Sequence, residues 1–182
     1  METSEAIFKR RTIHLFESKK VSDEIILKGI DAANQAPCHK LTFPWKFYSI
    51  GIKKRNEILS LAINLKSTNN TLGDKAISIL KNKYLNPSHL LVATQILAKD
   101  DFTKKEDYAA CASAIQNLAI LLASKGVSIK WSTGAITRNI RTYEITDINP
   151  SNEEIIGFIW IGYGKELPKI TRPSINEIYK KI

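Results

Sequence analysis

The segment KKEDYAACASAIQNLAILLASKG, residues 104–126, constrains the fold more than any other stretch. It is long, rich in Ala and Leu and free of Pro. It therefore predicts a helix that closes on Gly126 as the residue just past its C-terminus. Its apolar residues nearly encircle it, which predicts a central, buried helix. The remaining elements have to be arranged around it. EIIGFIWIGYG (154–164) is the clearest strand, and HLLVATQI (89–96) and WKFYSIG (45–51) are two more. IKWSTGAIT (129–137) reads as an extended segment and a turn. Shorter helices are predicted over 3–10, 23–35, 53–66 and 71–84. Ser22 is an N-cap candidate for the second of these, Ile25, Ile26, Ile30 and Ala33 form its apolar face, and Pro37 stops it. Ile58, Leu61, Ala62 and Leu65 mark the third. Strands and helices do not alternate as in a doubly wound sheet, so the pattern predicts an α+β sandwich with a sheet flanked by helices.

The chain has 182 residues, 43% of them apolar. That suits a single domain over 1–182, since domains usually run to ~100–200 residues. A monomer of this size has little volume left for a large enclosed site, so a site shared between subunits is attractive. No apolar run approaches the ~20 residues of a membrane span. METSEAIFKRRT holds acids and no apolar h-region, and the expectation is a cytoplasmic protein without a membrane partner. Two cysteines, Cys38 and Cys111, give no disulfide framework. The net charge of +9 raises the possibility of an anionic partner, either nucleic acid or a phosphorylated ligand. However, 21 of the 27 basic residues are scattered Lys, and the aromatics do not interleave with them in a stacking platform. No nucleic-acid partner is expected. The six Arg are few enough to question one by one.

Three stretches carry candidate chemistry. In APCHKLTFPW (36–45), Cys38 and His39 are adjacent, whereas a nucleophile and its base usually come from separate parts of a chain. Two Cys and three His offer no zinc-ligand spacing, so no metal is expected. Cys38 reads as a small loop thiol, and His39 as either a surface residue or a ligand contact. In KRRTIHLF (9–16), two Arg, a hydroxyl and a His fall close together. A guanidinium fork matches phosphate, and in an extended chain Arg10, Thr12 and His14 would share a face. Taken alone, a solvated basic patch is the more ordinary reading. WSTGAI (131–136) allows close backbone approach to a ligand, although taken alone an ordinary turn is the favoured reading. No GxGxxG follows a strand and no GxxxxGK[ST] is present, so the common dinucleotide and P-loop phosphate sites are excluded.

Taken together, FKRRTIHLF, AANQAPCHKLTFPWKFYSIG, YAACASAIQNLAILLASKG and EEIIGFIWIGYGKELPKITRPSINEIY stand in the order and spacing of the nitroreductase family of FMN enzymes. That family's pattern runs RRS-x-R-x-F, then A-x-x-AP-S-x-x-x-QPW-x-F, then a central helix with QN, then a strand ending IGYP. The chain most resembles the short bacterial proteins designated NAD(P)H nitroreductases, which carry APDHK and W-R-S-G-A-L-T where this chain has APCHK and WSTGAIT. The likeness covers nearly all of it.

The resemblance implies an α+β nitroreductase-like sandwich with a mixed central sheet. It also implies a homodimer with two FMN molecules at the interface and a C-terminal tail wrapping the partner. Arg10, Arg11 and Thr12 would hold the phosphate and ribityl chain, joined by Arg172 of the tail. His14 would lie near the pyrimidine end. His39, with Gln35 nearby, would serve the FMN of the partner subunit. Thr133 or Gly134 would give a backbone N–H to flavin N5, with Trp131 and Ser132 alongside. The implied activity is ping-pong hydride transfer from NADH or NADPH through the flavin to a nitroaromatic, quinone or similar acceptor, with no catalytic side chain. A cation near flavin N1, His14 or a lysine such as Lys40, would stabilise the reduced ring. Three residues depart from the family pattern: Phe43 stands for the Gln before Pro-Trp, Gln35 for an Arg, and His14 for a fixed cation. They bear on substrate choice and flavin potential. The alternatives are dehalogenation, dehydrogenation or flavin fragmentation on the same scaffold, and a basic nucleic-acid-binding module from a different class.

Overall fold

A computed structural model of the chain describes residues 1–67 and 71–182. In chain order the elements are α1 (Thr3–Lys9), α2 (Asp23–Asn34), β1 (Trp45–Ser49), α3 (Ile52–Ser67), α4 (Asp74–Leu85), β2 (His89–Ile96), α5 (Asp101–Ser124), β3 (Ser128–Ser132), α6 (Ile140–Thr146), β4 (Glu153–Gly162) and α7 (Ile175–Ile178). Ser22 stands at the N-cap of α2, but its side chain makes no capping bond. Asp100 does cap α5, accepting from the Thr103 N–H at 2.9 Å, so that helix starts at Asp101 rather than at 104. Gly126, at φ +73°, follows its C-cap as predicted.

The strands form one sheet in the order β1-β2-β4-β3, and all three ladders are antiparallel. The α+β sandwich is as expected, but the sheet is not mixed. Among the described residues, parallel pairing is confined to a single bridge between Thr12 and Ile129. The N-terminal segment lies along β3 only that far, because it bends at His14 while Ile13 turns into the core.

Alternation on the central strands builds a core on each face. Leu91 and Ala93 of β2 face α2 and α5 together with Ile159 and Ile161 of β4. Leu90 and Val92 face α3 and α4 together with Phe158 and Trp160. A bulge interrupts β4: Ala93 pairs with Gly157 but Thr94 pairs with Ile155, leaving Ile156 as the extra residue. The alternation is thereby reset, and Ile156 joins the α2–α5 core while Ile155 faces the other. Gly157 lies beside this bulge because the Trp131 ring occupies its side-chain space. A Cβ there would meet Trp131 Nε1 at 2.1 Å.

Helix α5 packs one stripe, including Ala110, Cys111, Ala114, Leu118 and Leu122, against α2 and the sheet. The opposite stripe exposes Tyr108, Ala109 and Gln116. Contrary to the sequence reading, α5 is therefore not buried all round. Its alanines look apolar on every side because Ala gives the same signal whether buried or exposed.

Two polar fastenings complete the frame. Arg55 of α3 is buried and spends its guanidinium on the carbonyls of Ile50, Pro87 and Ser88, at 3.1, 2.8 and 3.0 Å. Glu153 accepts from Lys46 at 2.7 Å, Tyr48 at 2.8 Å and Thr94 at 2.6 Å, tying β1, β2 and β4 across one face. These bonds hold its carboxyl below its usual range despite burial.

Substituting Gly157→Ala is expected to displace the Trp131 ring and cost about 1–3 kcal/mol, as overpacking does. Urea unfolding monitored by Trp fluorescence measures this, and a wild-type midpoint would show that the ring has room to move.

Candidate functional site

Two of the six Arg end α1 side by side. Arg11 folds back and donates to the carbonyls of Phe8 and Arg10 at 2.6 and 2.9 Å, covering the exposed end of the helix. Arg10 is different. Its Nε is buried and has no hydrogen-bond partner among the described residues. Burial lowers its pKa, and the charges of Arg172 and Arg11 lower it further. The tail thus brings Arg172 near enough for its charge to act on Arg10, and Arg10 and Arg11 line a cavity of about 170 Å³ together with Gly126, Ser128 and Leu167 of the tail. A buried donor left without an acceptor costs about 1–3 kcal/mol. A di-anion in this cavity would satisfy the donor and offset the repulsion.

The bridge of Thr12 to Ile129 carries the chain from this cavity to a second one. The second has a volume of about 280 Å³ and is lined by His14, Asn82, Lys83, Lys130 and Lys165, among others. Lys130 of β3 sits with Nζ 3.0 Å from His14 Nδ1. Lys83, at the end of α4, lies 5.9 Å from the ring centre of Trp160. The charge of Lys130, then burial, then the charge of Lys83 lower the His14 pKa. Burial lowers those of Lys83 and Lys130. His14 is therefore neutral near pH 7, and the fixed positive charge here belongs to the two lysines. Lys40 is elsewhere, 6.0 Å from the ring centre of Phe102 and close to Asp100. Sequence reasoning missed Lys83 and Lys130. Lys130 is placed by the pairing of β3 with the residue two places before His14, and Lys83 comes from α4 with nothing local to mark it.

In the WSTG segment the side chains turn inward. Trp131 Nε1 donates to the Ile156 carbonyl at 3.1 Å, a group that the bulge turns toward it. Ser132 Oγ accepts from Trp160 Nε1 at 3.0 Å. Thr133 is exposed and lies past the last ladder pair, Ser132 with Phe158. Gly134 has φ +148°, and a Cβ there would meet nothing within 4 Å. Backbone, rather than side chain, is what this turn can offer to a ligand.

The loop APCHKLTFPW is held together by Cys38, the small loop thiol of the sequence reading. Cys38 Sγ accepts from the Phe43 N–H at 3.2 Å and lies 3.2 Å from Thr42 Oγ1. Thr42 gives its own proton to buried Asp107 of α5 at 2.6 Å, while the thiol donates to the His39 carbonyl at 3.6 Å. This knot sustains positive φ at Lys40, Leu41 and Phe43, a rare run for non-glycine residues. Cys111, one turn along α5, has its thiol pushed up to about 12 by burial, Asp107 and Cys38, and is inert. Phe43 packs edge-on against Trp45, with ring centres 5.9 Å apart.

His39 is exposed, with Nε2 3.9 Å from Glu106 Oε2, and Gln35 is the exposed C-cap residue of α2. The Arg10 cavity touches Ala123, at the far end of α5. Glu106 and Ala123 are 17 residues apart on that helix, which at ~1.5 Å per residue is roughly 26 Å. Within one protomer, Gln35 and His39 are therefore not brought to Arg10, Thr12 and Arg172. The third histidine, His89, is 3.1 Å from Ser88 Oγ and 3.0 Å from Asp23. The Ser88 hydroxyl is already tied to the Val21 N–H at 2.7 Å, and Asp23 is exposed, so the chain of bonds fastens α2 to β2.

The sequence pattern that defines the nitroreductase family matches residues 7–163. The chain is 29% identical over 169 residues to "Putative NAD(P)H nitroreductase YfhC" of Bacillus subtilis (strain 168), spanning 91% of this chain and 86% of that protein. Among solved structures, a nitroreductase-like family protein from Bacillus cereus superposes with a TM-score of 0.83 at 25% identity, covering 100% of this chain and 96% of the other. A variant of the FMN and NADPH-dependent nitroreductase NfnB, from Sphigopyxis sp. strain HMH, shares the fold at a TM-score of 0.81 and 13% identity, covering 100% and 99%.

Thr42→Val removes the donor to buried Asp107 and the hydroxyl beside the Cys38 thiol. It is expected to cost about 1–3 kcal/mol and to open the 38–43 loop to protease. Chemical denaturation and limited proteolysis test this, and unchanged cleavage would mean that Pro37 and Pro44 hold the loop unaided.

Proposed function

The chain belongs to the nitroreductase family of flavin-dependent oxidoreductases, and we propose that it binds FMN and passes hydride from NADH or NADPH to a nitroaromatic, quinone or similar acceptor. The observation that carries this reading is the unpartnered, buried Nε of Arg10 beside Arg11 and Arg172. Three guanidiniums without a carboxylate among the described residues suit a phosphate dianion. Bound FMN supplies the hydride chemistry itself, which is consistent with the lack of an activated nucleophile here.

The protein's part is position and charge. Arg10 and Arg172 hold the phosphate, and Arg11 keeps the end of α1 in place beneath it. The Thr12 hydroxyl, next along the Thr12–Ile129 bridge, serves the ribityl chain. His14 and Lys83 face the cavity offered to the pyrimidine edge. Thr133 or Gly134 contributes a backbone N–H, and Trp131 and Ser132 anchor that turn through Ile156 and Trp160. Lys83 provides the constant positive charge that favours electron density on the pyrimidine ring.

Gln35 and His39 lie too far along α5 to serve the same cofactor as Arg10, and in this reading they serve that of a second subunit. The exposed stripe of α5 and the exposed apolar tail residues Leu167, Ile175, Ile178 and Tyr179 are what a homodimer of this kind covers. One domain spanning 1–182 and a cytoplasmic location belong to the same reading. Among the described residues, no helix is long and apolar enough to cross a membrane.

The purified protein should be yellow, release FMN on denaturation, and consume NADH or NADPH when given a nitroaromatic or quinone. A colourless protein with salt-dependent nucleic-acid binding would overturn the reading. Arg10→Ala should weaken FMN retention by about 1.5–3 kcal/mol, the usual worth of a hydrogen bond to a charged group. Undiminished retention in both Arg10→Ala and Arg172→Ala would mean that the phosphate lies elsewhere.

A further inference from the structure

The contact between Lys130 and His14 has a direction. An ammonium carries three N–H donors and no acceptor. At 3.0 Å from Nδ1 it can only donate. Nδ1 must then present its lone pair, and the neutral ring keeps its proton on Nε2. A proton on Nδ1 would set two N–H donors against each other at hydrogen-bonding distance, and a doubly protonated ring would add a second cation beside the ammonium.

The surroundings strengthen this choice. Lys83 comes from α4, Lys130 from β3 and Lys165 from the segment after β4, and all three line the cavity with His14. Lys66, at the end of α3, adds its charge to the field on Lys83. No ion pair to a carboxylate is made by His14, Lys83, Lys130 or Lys165 among the described residues. Lys130 is also well fixed. It is half-buried, and it pairs across the ladder with fully buried Trp160, the ring beside which Lys83 lies. The ammonium is thus positioned by the sheet, while the exposed His14 sits at a bend that the Thr12–Ile129 bridge and buried Ile13 hold beside β3.

We propose that Lys130 is a positioning residue that locks His14 as the neutral Nε2–H tautomer. His14 then enters the cavity as a hydrogen-bond donor without charge, beside the ammoniums of Lys130 and Lys83. The ligand edge that fits such a constellation is an acceptor carbonyl next to an electron-rich nitrogen. Identifying that edge with the flavin pyrimidine rests on the proposed function, whereas the tautomer does not. The charge in the cavity then stays constant across the neutral range. It is lost only when the lysines deprotonate on the alkaline side, and below neutrality a proton on His14 breaks the Lys130 contact.

Long-range nitrogen–proton NMR of the imidazoles, on apoprotein and on protein reconstituted with FMN, tests the proposal. In wild type the His14 signals should show the Nε2–H pattern at pH 7, with a titration midpoint below that of free histidine. Lys130→Met should move the midpoint up and mix the tautomers. Lys130→Arg, also a donor-only cation, should restore the wild-type pattern. FMN titration by fluorescence quenching should show a roughly tenfold or greater loss of affinity in Lys130→Met. An Nδ1–H pattern in wild type, or a midpoint that Lys130→Met leaves in place, overturns the proposal. The expected tautomer with unchanged FMN affinity overturns the part played toward the ligand. Failure of wild type to bind FMN at all would sink the proposed function, and the apoprotein spectra would still decide the role of Lys130.

Discussion

The middle of the sheet must be covered on both faces, and much of the architecture follows from that requirement. β2 and β4 lie side by side, apolar to either side, with Trp160, Phe158, Ile159, Leu90 and Val92 almost without exposure. Burying such side chains contributes about 1.5–3 kcal/mol each relative to leaving them in water. One layer, α2 with α5, covers the first face, and α3 with α4 covers the second. With both faces taken, another segment can join at a backbone edge, and besides that of β1 the sheet offers the edge of β3. Residues 12 and 13 take it, through the Thr12–Ile129 bridge and the Ile13 N–H to the Ile129 carbonyl at 3.3 Å. Arg10 on one side of that bridge and His14 on the other are placed by it.

The bulge at Ile156 connects this frame to the turn at 131–134. Without an extra residue, one alternation would run the length of β4, and its two halves would send their large side chains to the wrong cores. With it, both halves are satisfied, and the displaced carbonyl is left to accept from Trp131. The same irregularity that serves packing therefore fixes the orientation of a residue at the proposed cofactor site.

Legibility in the sequence followed the physics of each element. HLLVATQI was readable to its ends because a strand buried on both faces must be apolar throughout. The antiparallel ladders, the bulge and α6 were not, since pairing direction and register depend on partners far along the chain. Arg10, Thr12 and His14 could be singled out because Arg and His are scarce here. Lys83 and Lys130 could not, being two among 21 lysines with nothing local to mark them. The part Cys38 plays in its loop was hidden for a related reason. Its thiol matters through Thr42 and Asp107, and Asp107 lies 69 positions later on α5. The family resemblance supplied what periodicity could not, namely the expectation that Arg10, Thr12, His14, the 131–134 turn and Arg172 serve one cofactor.

The meeting of Arg10 with Arg172 also bears on the order in which the molecule is made. These two residues stand near opposite ends of the chain, and the loop they close encloses almost all of it. Contacts of such long range form late, after the helices and the β2–β4 pair that they rest on. On a growing chain the two guanidiniums cannot meet until residue 172 has been made. A ligand that joins the two guanidiniums would then act as a clasp on a finished protein, with most of its effect on how slowly the chain comes apart.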